Sequence, residues 1–279
     1  MTNFLHKFSL KGKTALITGA AGLLGKQHTI ALLEAGASVV MTDINDDELK
    51  LAKQELSETF DENKILTFNL NVANKTSVDS VAEQLKTISK MPDILVNNAA
   101  IDPKVKSQPG IQESSRLEHF PVEQWQLQLD VGLTGAFFCA QVFGQVMAAS
   151  GKGGVILNIS SDLSVFSPDQ RLYRVEGVKE EDQPVKPVTY PVIKTALIGL
   201  TRYIATYWAD KGVRCNALSP GGVENGQHDE FVNKLAALIP MGRMAERDEY
   251  RSAIQFLCSD ASAYLNGQNI VMDGGRSVL

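Results

Sequence analysis

Short apolar runs and longer amphipathic stretches alternate along almost the whole chain. Lys13-Thr14-Ala15-Leu16-Ile17 is a strand-like run that enters a glycine-rich turn, and apolar positions then recur at helical spacing from Leu23 to Leu33. After a turn at Gly36, Val39-Val40-Met41-Thr42 predicts a second strand and Asp46 to Glu58 an amphipathic helix. The same alternation predicts strands at Ile65 to Leu70, Asp93 to Val96, Val155 to Ile159, Val213 to Leu218 and Asn269 to Met272. Helical patterns lie between them at Val78 to Ile88, Val122 to Ala149, Tyr190 to Asp210, Glu230 to Leu238 and Arg247 to Leu257. Strands this short and this apolar are buried on both faces, so helices must cover both sides of a parallel sheet. Right-handed crossovers then give an α/β fold: a doubly wound, Rossmann-type parallel sheet of about seven strands, with helices on both faces. Ligands on such sheets sit beyond the carboxyl ends of the strands, where chemistry is expected.

Composition narrows the picture. At 279 residues the chain can bury a large core. No linker-like, repeated or low-complexity tract divides it, so one domain over residues 1–279 is expected. A formal net charge of −5 argues against a nucleic-acid partner. Met1 to Gly12 alternates polar and apolar residues, so neither a signal peptide nor a membrane anchor is expected. Cys139, Cys215 and Cys258 are odd in number, far apart and without a CxxC, as expected of reduced core thiols in a cytoplasmic protein. The histidines His6, His28, His119 and His228 lack metal-ligand spacing and read as surface or packing residues, so no metal is expected. No GxSxG elbow supports a hydrolase.

The first turn carries the first chemistry. Thr18-Gly19-Ala20-Ala21-Gly22-Leu23-Leu24-Gly25 lies between a strand and a helix. Glycines there let a backbone approach a ligand closely, and the helix N-terminus favours a pyrophosphate. Asp43 ends the next strand, where an acidic residue can bind a ribose 2′-hydroxyl or simply shape a turn. Asp43 would repel a 2′-phosphate and no cation follows it closely, which favours NAD(H) over NADP(H). The nearby cation Lys26 falls inside the following helix. An Asn97-Asn98-Ala99-Ala100 run ends the fourth strand.

Taken in order with Asn158-Ile159-Ser160-Ser161, Tyr190-Pro191-Val192-Ile193-Lys194, Asn216, Pro220-Gly221 and Asp273-Gly274-Gly275, these pieces resemble the short-chain dehydrogenase/reductase family from Lys13 to Gly275. The resemblance implies catalysis by Ser161, Tyr190 and Lys194. It also implies cofactor contacts from Gly19, Gly22, Leu24, Asp43, Asn71, Val72, Asn98, Tyr190, Lys194, Pro220, Gly221 and Val223. A homotetramer or homodimer built through the helices at Val122 to Ala149 and Tyr190 to Asp210 is implied in the same way.

Two Tyr-x-x-x-Lys pairs occur, Tyr190/Lys194 and Tyr207/Lys211, each with spacing that suits one helix face. Tyr190 lies at a helix start, at the active edge of the sheet. Tyr207 lies roughly 25 Å further along at about 1.5 Å per residue and reads as structural. A free phenol titrates near about 10, so Tyr190 needs Lys194 and a positive nicotinamide to act as a base at neutral pH. It would accept the alcohol proton as hydride leaves, and donate one in reduction. Of Ser160 and Ser161 only one should face the site, because successive strand side chains point to opposite faces; the resemblance favours Ser161.

Several positions depart from the family pattern. Gly132 in Val131-Gly132-Leu133-Thr134-Gly135 replaces the usual Asn, which leaves its carbonyl to hold a relay water and a cavity with room for another. Asn71 replaces an Asp, and its amide can still accept a hydrogen bond from adenine. Leu23 stands for the middle glycine, and Asn225 for a Thr near the carboxamide. Ser161 and Tyr190 are also much farther apart than usual, so residues 165–188 form a lid-like insertion or a solvated or subunit-contacting loop. In the lid reading Arg171 or Arg174 recognises an acidic or hydroxyl-rich substrate, and Gly221 to Glu230, with Asn225, forms a second lid. Polar lids point to a sugar or another polar alcohol. The expected activity is therefore NAD-dependent interconversion of a secondary alcohol and a ketone on a polar small molecule. A catalytically weak NAD-binding module and an epimerase or dehydratase are the alternatives.

Overall fold

The computed structural model describes residues 4–101 and 115–279, and all seven expected strands form within them. They are β1 (Thr14–Thr18), β2 (Ser38–Asp43), β3 (Ile65–Asn69), β4 (Ile94–Asn97), β5 (Gly154–Ile159), β6 (Val213–Pro220) and β7 (Asn269–Met272). They pair in parallel in the order β3-β2-β1-β4-β5-β6-β7. The reversal between β1 and β4 opens a crevice at their carboxyl ends, the ligand position of a doubly wound sheet.

The main helices are α1 (Leu23–Glu34), α2 (Asp46–Ser57), α3 (Lys75–Thr87), α4 (Val122–Ala149), α5 (Thr189–Tyr207), α6 (Asp229–Ala236) and α7 (Arg251–Cys258). Strand alternation divides the core. Ala15, Ile17, Val39 and Met41 face one apolar layer with α1, α2 and α7, while Leu16, Val40, Leu95 and Ile156 face the other with α3, α4 and α5. The apolar length of α4 would also suit a membrane span. Here Cys139, Ala140, Phe143 and Met147 of that helix are buried in the second layer.

Some boundaries differ from the expected ones. α3 starts at Lys75 rather than Val78, because the Asn74 side chain accepts from the N–H groups of Thr76 and Ser77 and caps the helix before its apolar period begins. β6 continues to Pro220, and α7 starts only at Arg251 after a turn over residues 247–250. α5 ends at Tyr207, so Lys211 falls in a separate turn, Ala209–Lys211, and does not share a helix with Tyr207. Of the Met1 to Gly12 stretch, Phe4–Phe8 forms an exposed 3-10 turn, and residues 1–3 lie outside the described residues.

Residues 165–188 are an ordered insertion with short turns at Gln170–Tyr173 and Glu180–Asp182. The buried Gln183 amide clamps it, accepting from Val175 N–H (2.8 Å) and donating to the carbonyls of Val175 (3.0 Å) and Val178 (2.8 Å). Leu172 packs with Leu235, Ile239 and Met244, and the Tyr173 ring lies 5.8 Å from that of Phe231 on α6. This segment therefore packs against α6 and the residues after it, beyond the second expected lid at Gly221 to Glu230.

Candidate active site

The glycine turn is shaped by contact. Gly19 has φ +63°, and a Cβ there would come within 2.9 Å of Ala99 Cα. A Cβ on Gly25 would lie 2.2 Å from the Gly19 carbonyl oxygen. No side chain caps α1 at Gly22, so its first-turn N–H groups line the crevice. A second strand end locks the turn: Asn98 Nδ2 donates to the carbonyls of Thr18 (3.0 Å) and Gly19 (2.9 Å), and Thr18 Oγ1 accepts from Asn98 and Ala99 N–H, each at 3.0 Å. Such a cradle, open to backbone and closed to side chains, fits a pyrophosphate.

Asp43 adjoins it. One carboxylate oxygen accepts from Ala21 N–H (3.1 Å) and the other from Asn45 N–H (3.0 Å), which ties the end of β2 to the glycine turn. Leu24 is half-buried against the first core layer, and Lys26, on α1, bonds Glu55 of α2 at 2.9 Å. Val72 is buried so close to Gly135 that a Cβ there would touch its Cγ2 at 2.8 Å. The Asn71 carbonyl oxygen, expected to accept from adenine, already accepts from Ala73 N–H at 3.0 Å. Gly221 N–H donates to Met272 O (2.8 Å), while Val223 bridges to Ala245, so Pro220, Gly221 and Val223 are fixed beside the end of β7.

The catalytic candidates meet at the end of β5. Ser160 and Ser161 do diverge. Ser160 Oγ donates to the Lys194 backbone carbonyl at 2.7 Å, and Lys194 Nζ donates to the Ile159 carbonyl at 2.8 Å. The first turns of α5 are thereby stapled to the strand end through both the backbone and the ammonium of one buried lysine. Tyr190 stands a turn earlier, its ring centroid 5.7 Å from Lys194 Nζ. A buried chain runs deeper, from Asn97 Nδ2 to Asn158 Oδ1 (2.9 Å) and from Asn158 Nδ2 to Thr201 Oγ1 (2.8 Å), joining β4, β5 and α5.

Ser161 Oγ donates to Asp162 Oδ1 (2.9 Å) and accepts from Leu163 N–H (3.2 Å). Asp162 is buried, and burial pushes its carboxyl up, against the opposing pull of Ser161 and Arg276. Its other oxygen accepts from Arg276 Nη1 at 3.1 Å, and that guanidinium lies 4.8 Å from the Phe166 ring. Sequence reading missed Asp162 and Arg276. Asp162 directly follows Ser161, but its partner lies 114 residues away and no spacing rule links them.

Three of the expected positions have partners within the protein. The space beside Gly132 holds no second water site, because a Cβ there would meet Ile193 Cγ2 at 2.8 Å; Ile193 fills the place of the missing side chain. Arg171 and Arg174 are engaged within the insertion: Arg171 forks onto Asp169 (2.6 Å), whose carboxyl this arginine holds down at about 2, and Arg174 onto Glu180 (2.7 and 2.8 Å). Asn225 is exposed, and its carbonyl oxygen accepts from Arg247 Nη2 at 2.7 Å. The cation that the insertion does bring to Tyr190 is Lys186, with Nζ 3.9 Å from the ring centroid. Away from the site, Tyr207 is 60% exposed and stacks on Tyr203, and Lys211 pairs with Asp210. The cysteines are buried, and burial pushes each thiol up to about 12, which keeps them protonated and inert.

Comparison with known proteins places the chain in a family. The family model described as short chain dehydrogenase matches residues 13–173, and the one described as Enoyl-(Acyl carrier protein) reductase matches residues 178–277. The chain is 30% identical to an NAD-dependent glycerol dehydrogenase of Listeria innocua, over 99% of this chain and 98% of that protein. It is 34% identical to a 2-dehydro-3-deoxy-D-gluconate 5-dehydrogenase of Bacillus subtilis, over 98% of each. A gluconate 5-dehydrogenase of Burkholderia cenocepacia, solved with NADP and tartrate, superposes with a TM-score of 0.82 at 30% identity, covering 99% of this chain and 100% of that one.

Proposed function

The chain belongs to the short chain dehydrogenase family, and from that premise we propose that it oxidises a secondary alcohol of a polyol or sugar acid with NAD, using Ser161, Tyr190 and Lys194. It is an oxidoreductase of CH–OH groups, and its cofactor is a nicotinamide dinucleotide. The relatives named for glycerol and for gluconate derivatives support a small polar substrate. Asp43 supports NAD over NADP, because a carboxylate already fixed beside the glycine turn would repel a 2′-phosphate.

Bound in the cradle of Gly19, Gly22, Asp43 and Asn98, the dinucleotide supplies the hydride acceptor. Tyr190 takes the alcohol proton, and Lys194 favours its phenolate by charge. Lys194 can do so because Ile159 and Ser160 fix it at one place, and this staple is the observation that carries the reading. Ser161 holds the substrate oxygen beside Tyr190. To do so it turns its O–H away from Asp162, whose carboxylate keeps Leu163 N–H (2.9 Å) and Arg276 as partners, so the turn strands no buried charge.

Exposed Leu127, Phe137 and Val146 on α4, with Tyr203 and Tyr207 on α5, support assembly of identical subunits through these helices. The buried thiols support a reducing, cytoplasmic setting. The test of the mechanism is Tyr190→Phe. It is expected to bind NADH as the parent does and to lose turnover of polyols by about 10²-fold or more. Turnover within a factor of two of the parent would remove Tyr190 from the reaction.

A further inference from the structure

The C-terminal end of the chain reaches Ser161 through a buried ion pair. Asp273-Gly274-Gly275-Arg276 follows β7, and its two glycines take positive φ, +67° and +91°, so the chain turns back sharply. The Asp273 carboxylate fixes this turn by accepting from Gly275 N–H (3.0 Å) and Ser277 N–H (2.7 Å). Arg276 is thereby aimed at the end of β5, where its Nη1 donates to Asp162 Oδ2 at 3.1 Å. Its guanidinium also lies 4.8 Å from the Phe166 ring centroid, so residues 165–188 touch the same group. The side chains of Arg276 and Asp162 are only 10% and 6% exposed, so solvent does not screen the pair as it would a surface bridge.

The other oxygen of Asp162 holds Ser161. Ser161 Oγ donates to Asp162 Oδ1 (2.9 Å), and Leu163 N–H is shared between Ser161 Oγ (3.2 Å) and that same carboxylate oxygen (2.9 Å). One carboxylate therefore bridges the Ser161 hydroxyl and the guanidinium. Neighbouring groups are engaged elsewhere. Asp169 feels the Arg276 charge but is forked by Arg171, and the Tyr250 phenol, pushed up by burial, stays neutral with its O–H toward the Gly221 and Met272 carbonyls. A buried carboxylate left with Leu163 N–H and the hydroxyl alone would grip that hydroxyl strongly, because hydrogen bonds to an ionised acceptor gain strength where water is excluded. Ser161 must release this bond to hold a substrate oxygen. Arg276 keeps the carboxylate partnered when it does.

We propose that Arg276 is a positioning residue for Ser161: acting through Asp162, it loosens the grip of the carboxylate, so that the C-terminal turn sets how readily the serine hydroxyl swings to the substrate oxygen. The proposal rests on the reading of Ser161 as the group that holds that oxygen. The test is a double-mutant cycle on the full-length protein, read as kcat/KM for NAD-dependent oxidation of glycerol or gluconate, whichever the parent turns over faster. Arg276→Met is expected to lower kcat/KM about tenfold in the parent, yet to change it by less than about twofold when added to Ser161→Ala. NADH affinity should stay within about a factor of two throughout, since the cofactor cradle is untouched. An equal loss in both backgrounds marks Arg276 as a structural residue and overturns the proposal, as does an unchanged kcat/KM for Arg276→Met alone. Circular dichroism checks folding, and Arg276→Gln, which keeps a donor without the charge, takes the place of the methionine variant if that one misfolds. Failure of the Ser161 reading itself shows separately, as turnover retained by Ser161→Ala before Arg276 is changed.

Discussion

On the cofactor side, the glycine turn, Thr18, Asp43 and Asn98 are held by backbone contacts and by hydrogen bonds between strand ends. On the side proposed to face substrate, residues 165–188 are held by exposed ion pairs, the Gln183 clamp and the apolar group of Leu172, Leu235, Ile239 and Met244. Exposed pairs such as Arg171–Asp169 are screened by solvent and add little, so the clamp and the apolar group must carry most of the segment's order. The contrast has a functional reading. A pyrophosphate has one shape, and sterics can fix its cradle; substrates differ, and a patch held by a few side chains can be rebuilt without disturbing the sheet.

The contrast is tested most severely at Gly25. Gly25→Ala would press a methyl within 2.2 Å of the Gly19 carbonyl oxygen, so the turn must open. NADH affinity is expected to fall by about 10²-fold or more, with a loss of stability of about 1–3 kcal/mol, measured by fluorescence titration and thermal unfolding. Unchanged NADH affinity would show that the turn is softer than its contacts imply.

Leu172→Ala probes the opposite side. It removes a buried anchor from the small apolar group, which is expected to loosen the insertion by about 2 kcal/mol and raise KM for a polyol roughly tenfold. NADH affinity should stay within a factor of two. A parallel loss of NADH binding would mean that the two sides are one cooperative unit.

A smaller effect comes from His28 on α1. It is fully buried, neither ring nitrogen has a hydrogen-bond partner among the described residues, and burial pushes its pKa from 6.5 down to about 3. The unfolded chain therefore binds a proton below pH 6.5 that the folded chain refuses until about pH 3, and stability falls as pH drops through that window. His28→Leu abolishes this linkage. Its stability relative to the parent should be about 2 kcal/mol better at pH 5 than at pH 7.5, read from urea unfolding at the two pH values. An equal difference at both values would show that His28 reaches solvent.

Much of the site was legible because its residues sit in short local patterns. The strand-turn-helix around Gly19 to Gly25, the Asn97-Asn98 pair and the Tyr190/Lys194 spacing each mark a fixed place on a doubly wound sheet. The segment at 165–188 depends more on pairings made in three dimensions. Arg171 and Arg174 were natural choices for anion recognition from residue type alone, yet each is engaged by a carboxylate within the insertion. Lys186 carries no motif and is brought to Tyr190 only by the path of the chain between Pro184 and Pro187. The departure at Gly132 was visible, but its consequence depended on Ile193, whose side chain fills the space.

Hydrophobic period and glycine placement determine the order of strands and helices, because strand alternation and helix periodicity are local properties of the chain. They also determine which strand ends carry chemistry, since a parallel sheet puts those ends on one edge. Which serine faces α5, which cation meets the tyrosine and which carboxylate holds Arg276 were decided only in three dimensions. Each of these is a pairing between side chains that different segments bring together, and its energy depends on burial and distance, neither of which is written in the spacing of residues along the chain.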